Sequence, residues 1–240
     1  MMMISKKWGA ALVFWAGLLP TAASVAEPAP VVVELFTSQG CYSCPPADVI
    51  AGELAERDDV LPLSFHVTYW DRLGWPDTLG LEEGTRRQER YAGYFGTGRI
   101  YTPQMVIQGQ IDVVGSQHAR VMRALEIIKD NWDHQLDITV ENERLSIGAG
   151  ETGPATVWLA AYDDVHEVAI ERGENAGKTL RYYNSVRELT EIGRIDGAAF
   201  DLDLPLTRLS EEGRSGAAIL VQRNSDGALI TATKVVLSSS

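Results

Sequence analysis

Only two of the 240 residues are cysteine, Cys41 and Cys44. That scarcity excludes a scaffold stapled by several disulfides. The chain also lacks a second cysteine pair or a closely spaced histidine pair to complete a zinc site, so no metal and no cofactor is expected. Basic residues are few as well: 21 Lys and Arg stand against 33 Asp and Glu, a formal net charge of −12. A nucleic-acid partner needs a basic footprint, and none is present. No apolar run reaches the roughly 20 residues that cross a bilayer comfortably. Internal repeats and low-complexity stretches are missing too, apart from the terminal serines.

Apolar residues make up 45% of the chain, enough for real cores, and the length suits two domains of about 100 residues each. The N-terminus has the layout of an export signal over residues 1–26. Lys6 and Lys7 precede an apolar core from Trp8 to Leu19, and Ser24-Val25-Ala26 forms a small-x-small cleavage site. Export would place the chain in the periplasm or outside the cell, free of the membrane after cleavage. Disulfides persist in those compartments.

Val31 to Phe36 is β-branched and apolar, the composition of a buried strand, with Glu34 its one charged residue. Ser38 to Gly40 reads as a turn. Pro45 and Pro46 are tolerated only in a first helical turn, so they set a helix start beside Cys44. Val60 to Thr68 is a second strand, and Tyr69 to Asp77 an aromatic loop. Glu82 to Tyr94 reads as a polar helix on which Arg86, Arg87 and Arg90 form a solvated face. Gln104–Gln108 and Gln110–Val114 form a hairpin hinged at Gly109, and a helix from Ser116 runs to about Lys129. Helix-length crossovers imply parallel pairing of the first strands, and the hairpin an antiparallel pair. The fold class expected over residues 30–132 is therefore an α/β thioredoxin-like domain, a mixed sheet flanked by helices. Residues 135–240 change texture. Short alternating strands at 136–140, 144–147, 155–162, 167–170, 217–221 and 230–236 suggest a mostly β, sandwich-like C-terminal domain.

A Cys-x-x-Cys pair after a buried strand points to redox chemistry. Unpaired N–H groups at the helix start stabilise the thiolate of Cys41, the expected nucleophile, and Cys44 is placed to resolve a mixed disulfide. The two are expected to form a disulfide with each other. Glu34 is a candidate proton shuttle if buried, and His66, near the end of the second strand, a candidate aid to the thiolate. In thioredoxin-like proteins a proline just before the third strand follows a cis bond and packs on the cysteine pair, and the resemblance to that arrangement implies the same for Pro103. Thr102, Tyr42 and Trp70 are candidate substrate contacts.

Glu34-Leu35-Phe36-Thr37-Ser38-Gln39-Gly40-Cys41-Tyr42-Ser43-Cys44-Pro45-Pro46-Ala47-Asp48 resembles the hallmark of the exported bacterial family called domain of unknown function 1223. Phe65 to Asp71 with Leu73-Gly74-Trp75, and Tyr101 to Met105, resemble two further blocks of that family. Thr68 departs from it, standing where the family pattern has an acid. The resemblance implies a thioredoxin-like fold and export, but no activity. The chemistry points to an exported thiol-disulfide oxidoreductase acting on protein or small-molecule disulfides, with an unidentified redox partner. Two alternatives stand beside it: a non-catalytic thioredoxin-like binding protein with a structural disulfide, and a copper- or zinc-handling protein.

Overall fold

The computed structural model describes residues 29–132 and 136–237, so the export signal expected over residues 1–26 lies outside the described residues. The chain runs β1 (Val31–Thr37), α1 (Pro45–Ala55), β2 (Val60–His66), a 3-10 turn (Asp71–Leu73), α2 (Glu82–Tyr94), β3 (Gln104–Ile107), β4 (Ile111–Val114) and α3 (His118–Asn131). It continues through β5 (Ile138–Glu141), β6 (Arg144–Ile147), β7 (Ala155–Ala169), β8 (Thr179–Ile195), β9 (Phe200–Asp203), α4 (Leu206–Glu211), β10 (Gly216–Arg223) and β11 (Leu229–Val236).

Eight strands form one mixed sheet in the order β11-β10-β7-β8-β2-β1-β3-β4, flanked by helices. β1 and β2 run parallel in register from Val31 opposite Val60 to Thr37 opposite His66, and β3 is antiparallel to β1. Every residue of β1 and β2 is buried, as their apolar sequences require of strands covered on both faces. Strand alternation sends Val33 and Leu35 to the face packed by α1 and α3, with Ile50, Leu54 and Leu125. Val32 and Phe36 go to the opposite face, with Phe65 and with Tyr91 of α2. The β3–β4 loop is the three residues Gln108-Gly109-Gln110; Gln108 and Gly109 take positive φ (51° and 66°), which lets the Gln110 N–H donate back to Ile107 O.

The second half of the chain adds two features. β5, β6 and β9 form a three-stranded sheet whose Leu145 and Ile147 pack on Leu159, Ile219 and Val221 of the large sheet, a sandwich-like contact. On the other face the apolar cluster runs across the expected boundary, joining Val32 and Phe65 to Ala160, Leu220 and Ala232. The sheet crosses it too, through Ser64 on β2 opposite Ser185 on β8.

Three expectations change here. The strands expected at 155–162 and 167–170 are one continuous β7, and β8, β9 and α4 had no sequence signal. β8 escapes the eye because Arg181, Arg187, Glu188, Glu191 and Arg194 interrupt its apolar pattern. Arg87 is not part of a solvated face: it is buried, and its Nε donates to Glu34 Oε2 at 2.9 Å while Nη2 donates to Glu34 Oε1. Gln222 and Tyr91 also accept from it. A charge taken out of water needs such a bidentate partner, so the pair ties β1 to α2 and β10.

Candidate functional site

Thr37 ends β1, and the chain turns through Ser38-Gln39-Gly40 into the cysteines. The Cys41 N–H donates to Ser38 O (3.1 Å) and the Cys44 N–H to Cys41 O (3.2 Å). The Cys44 carbonyl then accepts from Ala47 and Asp48, which starts α1. Pro45 and Pro46 fill the first positions, where an N–H would have no helical partner. Cys41 and Cys44 are joined as a disulfide with Cα atoms 5.4 Å apart, and both residues are fully buried. Between them Tyr42 is 67% exposed, and Ser43 Oγ lies 3.5 Å from Cys41 Sγ.

Beneath this turn lies a buried polar group. Asp48 sits one helical turn after Cys44, on the same side of α1. Thr37 Oγ1 donates to its Oδ1 at 2.8 Å. Thr37 and His66 are register partners, so His66 shares the face of the sheet that α1 covers. The His66 Nδ1 is 2.8 Å from Asp77 Oδ2, and Asp77 also accepts the backbone N–H groups of Gln39 and Leu79, each at 2.8 Å. The Tyr182 ring meets the His66 ring edge-on with centroids 4.7 Å apart. Asp48 Oδ2, His66 Nε2 and the Tyr182 hydroxyl make no hydrogen bond to protein.

The two carboxyls differ in charge. Burial pushes Asp48 from 3.8 up to about 7, against the Thr37 hydrogen bond and the nearby His66. Burial acts on Asp77 in the same direction, but the His66 charge and its hydrogen bond, with the Gln39 and Leu79 N–H groups, hold Asp77 below the usual range. Burial raises the Tyr182 hydroxyl, and the charges of Asp48 and Asp77 raise it further. At neutral pH, then, Asp77 is an anion that orients His66, while Asp48 is poised to hold or release a proton. Asp48 also faces a cleft of about 420 Å³ between α1 and β8, lined by Val49, Gly52, Leu180, Arg181 and Tyr183.

Over the disulfide turn lies the connection between β7 and β8. Asn175, fully buried, donates its Nδ2 hydrogens to Gln39 O (2.9 Å) and Cys41 O (3.0 Å). Glu174 Oε2 accepts the Tyr42 N–H at 3.2 Å, and Lys178 Nζ donates to Asn175 Oδ1 at 2.9 Å while lying 4.8 Å from the centre of the Tyr42 ring.

The residues expected from sequence divide accordingly. His66 joins the group under the cysteines. Glu34 does not: alternation along β1 puts it on the sheet face opposite α1, where Arg87 holds both its oxygens, so it is no proton shuttle for this pair. The Thr102–Pro103 bond is cis, and Trp70 Nε1 donates to Thr102 Oγ1 at 2.8 Å. Trp70 also lines the Gly40 turn: a Cβ on Gly40 would sit 3.4 Å from Trp70 Cβ. Thr68, the departure from the family pattern, donates to Glu82 Oε2 at 2.7 Å. Asp48, Asp77, Tyr182 and Asn175 carry no assigned role in the sequence reading, although Asp48 closes the family hallmark and Asp77 the aromatic loop. Asp48 could have been found, since it lies four residues after Cys44. Asn175, 134 residues from Cys41, could not. Among the described residues no group of three or more His, Cys, Asp and Glu could hold a metal ion, and no helix is long and apolar enough to cross a membrane.

A family model described as protein of unknown function (DUF1223) matches residues 32–222. Among solved structures, the X-ray crystal structure of protein AGR_C_4864 from Agrobacterium tumefaciens is 32% identical, with a TM-score of 0.76, over 90% of this chain and 98% of that one. HBP35 of Porphyromonas gingivalis shares the fold with a TM-score of 0.54 at 12% identity, over 88% of this chain and 76% of that one. No curated protein matches the chain.

Proposed function

The chain belongs to the DUF1223 family, and from that premise we propose that it is an exported thiol-disulfide oxidoreductase with a thioredoxin-like first half. Support for the thioredoxin-like reading comes from parallel β1 and β2, antiparallel β3 and β4, and a Cys-x-x-Cys pair at the first strand-to-helix turn. The observation that carries the activity is Asp48, a buried carboxyl with one free oxygen, one turn below Cys44 and held near neutral pH. A purely structural disulfide has no use for such a group.

A thiolate of a substrate dithiol attacks Cys41 Sγ, breaking the Cys41–Cys44 bond and forming a mixed disulfide. Cys44 leaves as a thiolate and takes the proton of Asp48. The second substrate thiolate then attacks the substrate sulfur of the mixed disulfide and releases the Cys41 thiolate, which has the Ser43 hydroxyl 3.5 Å away and takes up a proton from solvent. The substrate loses two electrons and two protons, and the pair gains them. Run backwards, the same steps reduce a disulfide. Asp48, left as a carboxylate, regains a proton from solvent on the side of the cleft it lines. Behind it Asp77 stays an anion and orients His66. Export, supported by the leader over residues 1–26, would keep the pair oxidised in the periplasm or outside the cell.

Complete burial of both cysteines favours a second reading, a non-catalytic binding protein with a structural disulfide. The reduction potential separates the two. A value between about −120 and −270 mV, with turnover of a dithiol peptide that Asp48→Asn slows about a hundredfold, supports the oxidoreductase. A value below about −300 mV without turnover supports the structural disulfide.

A further inference from the structure

The hydrogen bonds over the disulfide turn have the pattern of a bound peptide. A peptide laid along residues 39–42 would offer N–H donors to carbonyls and accept N–H groups in return. The β7–β8 tip does this with side chains. The carboxamide of Asn175, chemically a peptide unit, donates to Gln39 O and Cys41 O. One residue further along the turn, Glu174 accepts the Tyr42 N–H. Lys178 pins the Asn175 carboxamide from behind. Most of the tip is also exposed. Residues 171–174 are exposed, and Ile170 and Asn175 are its buried members. Its base is closed by Ile170 N–H to Lys178 O and Gly177 N–H to Ile170 O, so it can swing as one piece.

We propose that the β7–β8 tip is an intramolecular stand-in for the substrate, and that the substrate is an extended polypeptide segment carrying thiols rather than a small thiol. This rests on the oxidoreductase reading and names its substrate class. A polypeptide displaces Asn175 by offering its own N–H groups to Gln39 O and Cys41 O, and so reaches the disulfide through a competing set of bonds. A small dithiol has no such groups and must wait for the tip to lift unaided. The exchange itself is the one above: the peptide's two thiols are oxidised to a disulfide and the Cys41–Cys44 pair is reduced to two thiols.

The test is the rate of disulfide reduction in the oxidised full chain by dithiothreitol and by a reduced, unstructured peptide with two cysteines, at matched thiolate concentration. Wild type is expected to react at least about tenfold faster with the peptide. Asn175→Ala should speed dithiothreitol by about ten- to a hundredfold, the factor that two intramolecular hydrogen bonds are worth, and the peptide much less, so that the two rates converge. Lys178→Met, which leaves Asn175 unpinned, should give a smaller convergence and serves if Asn175→Ala does not fold. Equal acceleration of both reductants would make the tip a plain cover and overturn the substrate-mimic inference. So would unchanged rates in variants that still turn over, and in both cases the oxidoreductase reading survives. A pair that no reductant reaches in wild type or variants overturns both.

Discussion

Replacing Asp48 with asparagine tests the buried carboxyl through stability alone, before any substrate is known. In the folded chain Asp48 titrates near 7, while the unfolded chain has its ordinary value of 3.8. Between these values the folded state keeps a proton that the unfolded state has released. Stability therefore falls as pH rises through this window, and the full loss is in place above pH 7. At 1.36 kcal/mol per unit, the loss is about 4 kcal/mol. The groups facing Asp48 are Thr37 from β1, His66 from β2, Asp77 from the following loop and Tyr182 from β8. Asparagine keeps the oxygen that accepts from Thr37 but cannot ionise. Whatever fixed offset its NH₂ group introduces, the difference between variant and wild type should move by about 4 kcal/mol in the variant's favour from pH 4 to pH 8. Guanidinium unfolding of both oxidised proteins at closely spaced pH values measures that difference. A difference that stays flat to within about 1 kcal/mol would refute the assignment of Asp48 as a buried, proton-holding group.

Three further outcomes follow from the packing. Glu34→Ala leaves the Arg87 guanidinium buried without its partner and should cost about 3–5 kcal/mol in denaturant unfolding, with no change in the rate of thiol exchange, since Glu34 lies across the sheet from the cysteines. Gly52→Ala places a Cβ about 2.5 Å from Tyr183 Cε2. It should lower stability by about 1–3 kcal/mol, and adding Tyr183→Leu should restore part of the loss. Thr102→Val removes the acceptor for Trp70 Nε1 and should cost about 1–3 kcal/mol, with a change in tryptophan emission reporting the freed indole.

Local chemistry was legible where neighbours in sequence are neighbours in space. The prolines placed the start of α1, the β-branched run placed β1, and Gly109 marked the hairpin between β3 and β4. Each follows from backbone constraints within a few residues. The fate of a charged residue was harder to read. Arg87 and Arg90 share one helix and one composition, yet Arg87 is buried against Glu34, 53 positions away, while Arg90 stacks over Trp158 with its ring centre at 4.9 Å. The sequence reading offered Glu34 as a candidate proton shuttle because it is the one charge in the apolar strand that leads to the cysteines. Strand alternation sends Glu34 to one face, onto Arg87, while Asp48 comes in from the helix on the other.

By itself, then, the sequence determined where the cysteine pair sits, that a strand precedes it and a helix follows, and that the two sulfurs have only each other. These are consequences of spacing, proline geometry and composition. Tertiary structure alone decided what surrounds the pair. It set His66, Asp77 and Tyr182 beside Asp48, and it brought Asn175 from the far end of a long hairpin onto the carbonyls of Gln39 and Cys41. The reason is that the environment of a buried site is a property of the whole packed sheet: its polar partners come from strands far apart in the chain, and no local pattern records which of them will meet.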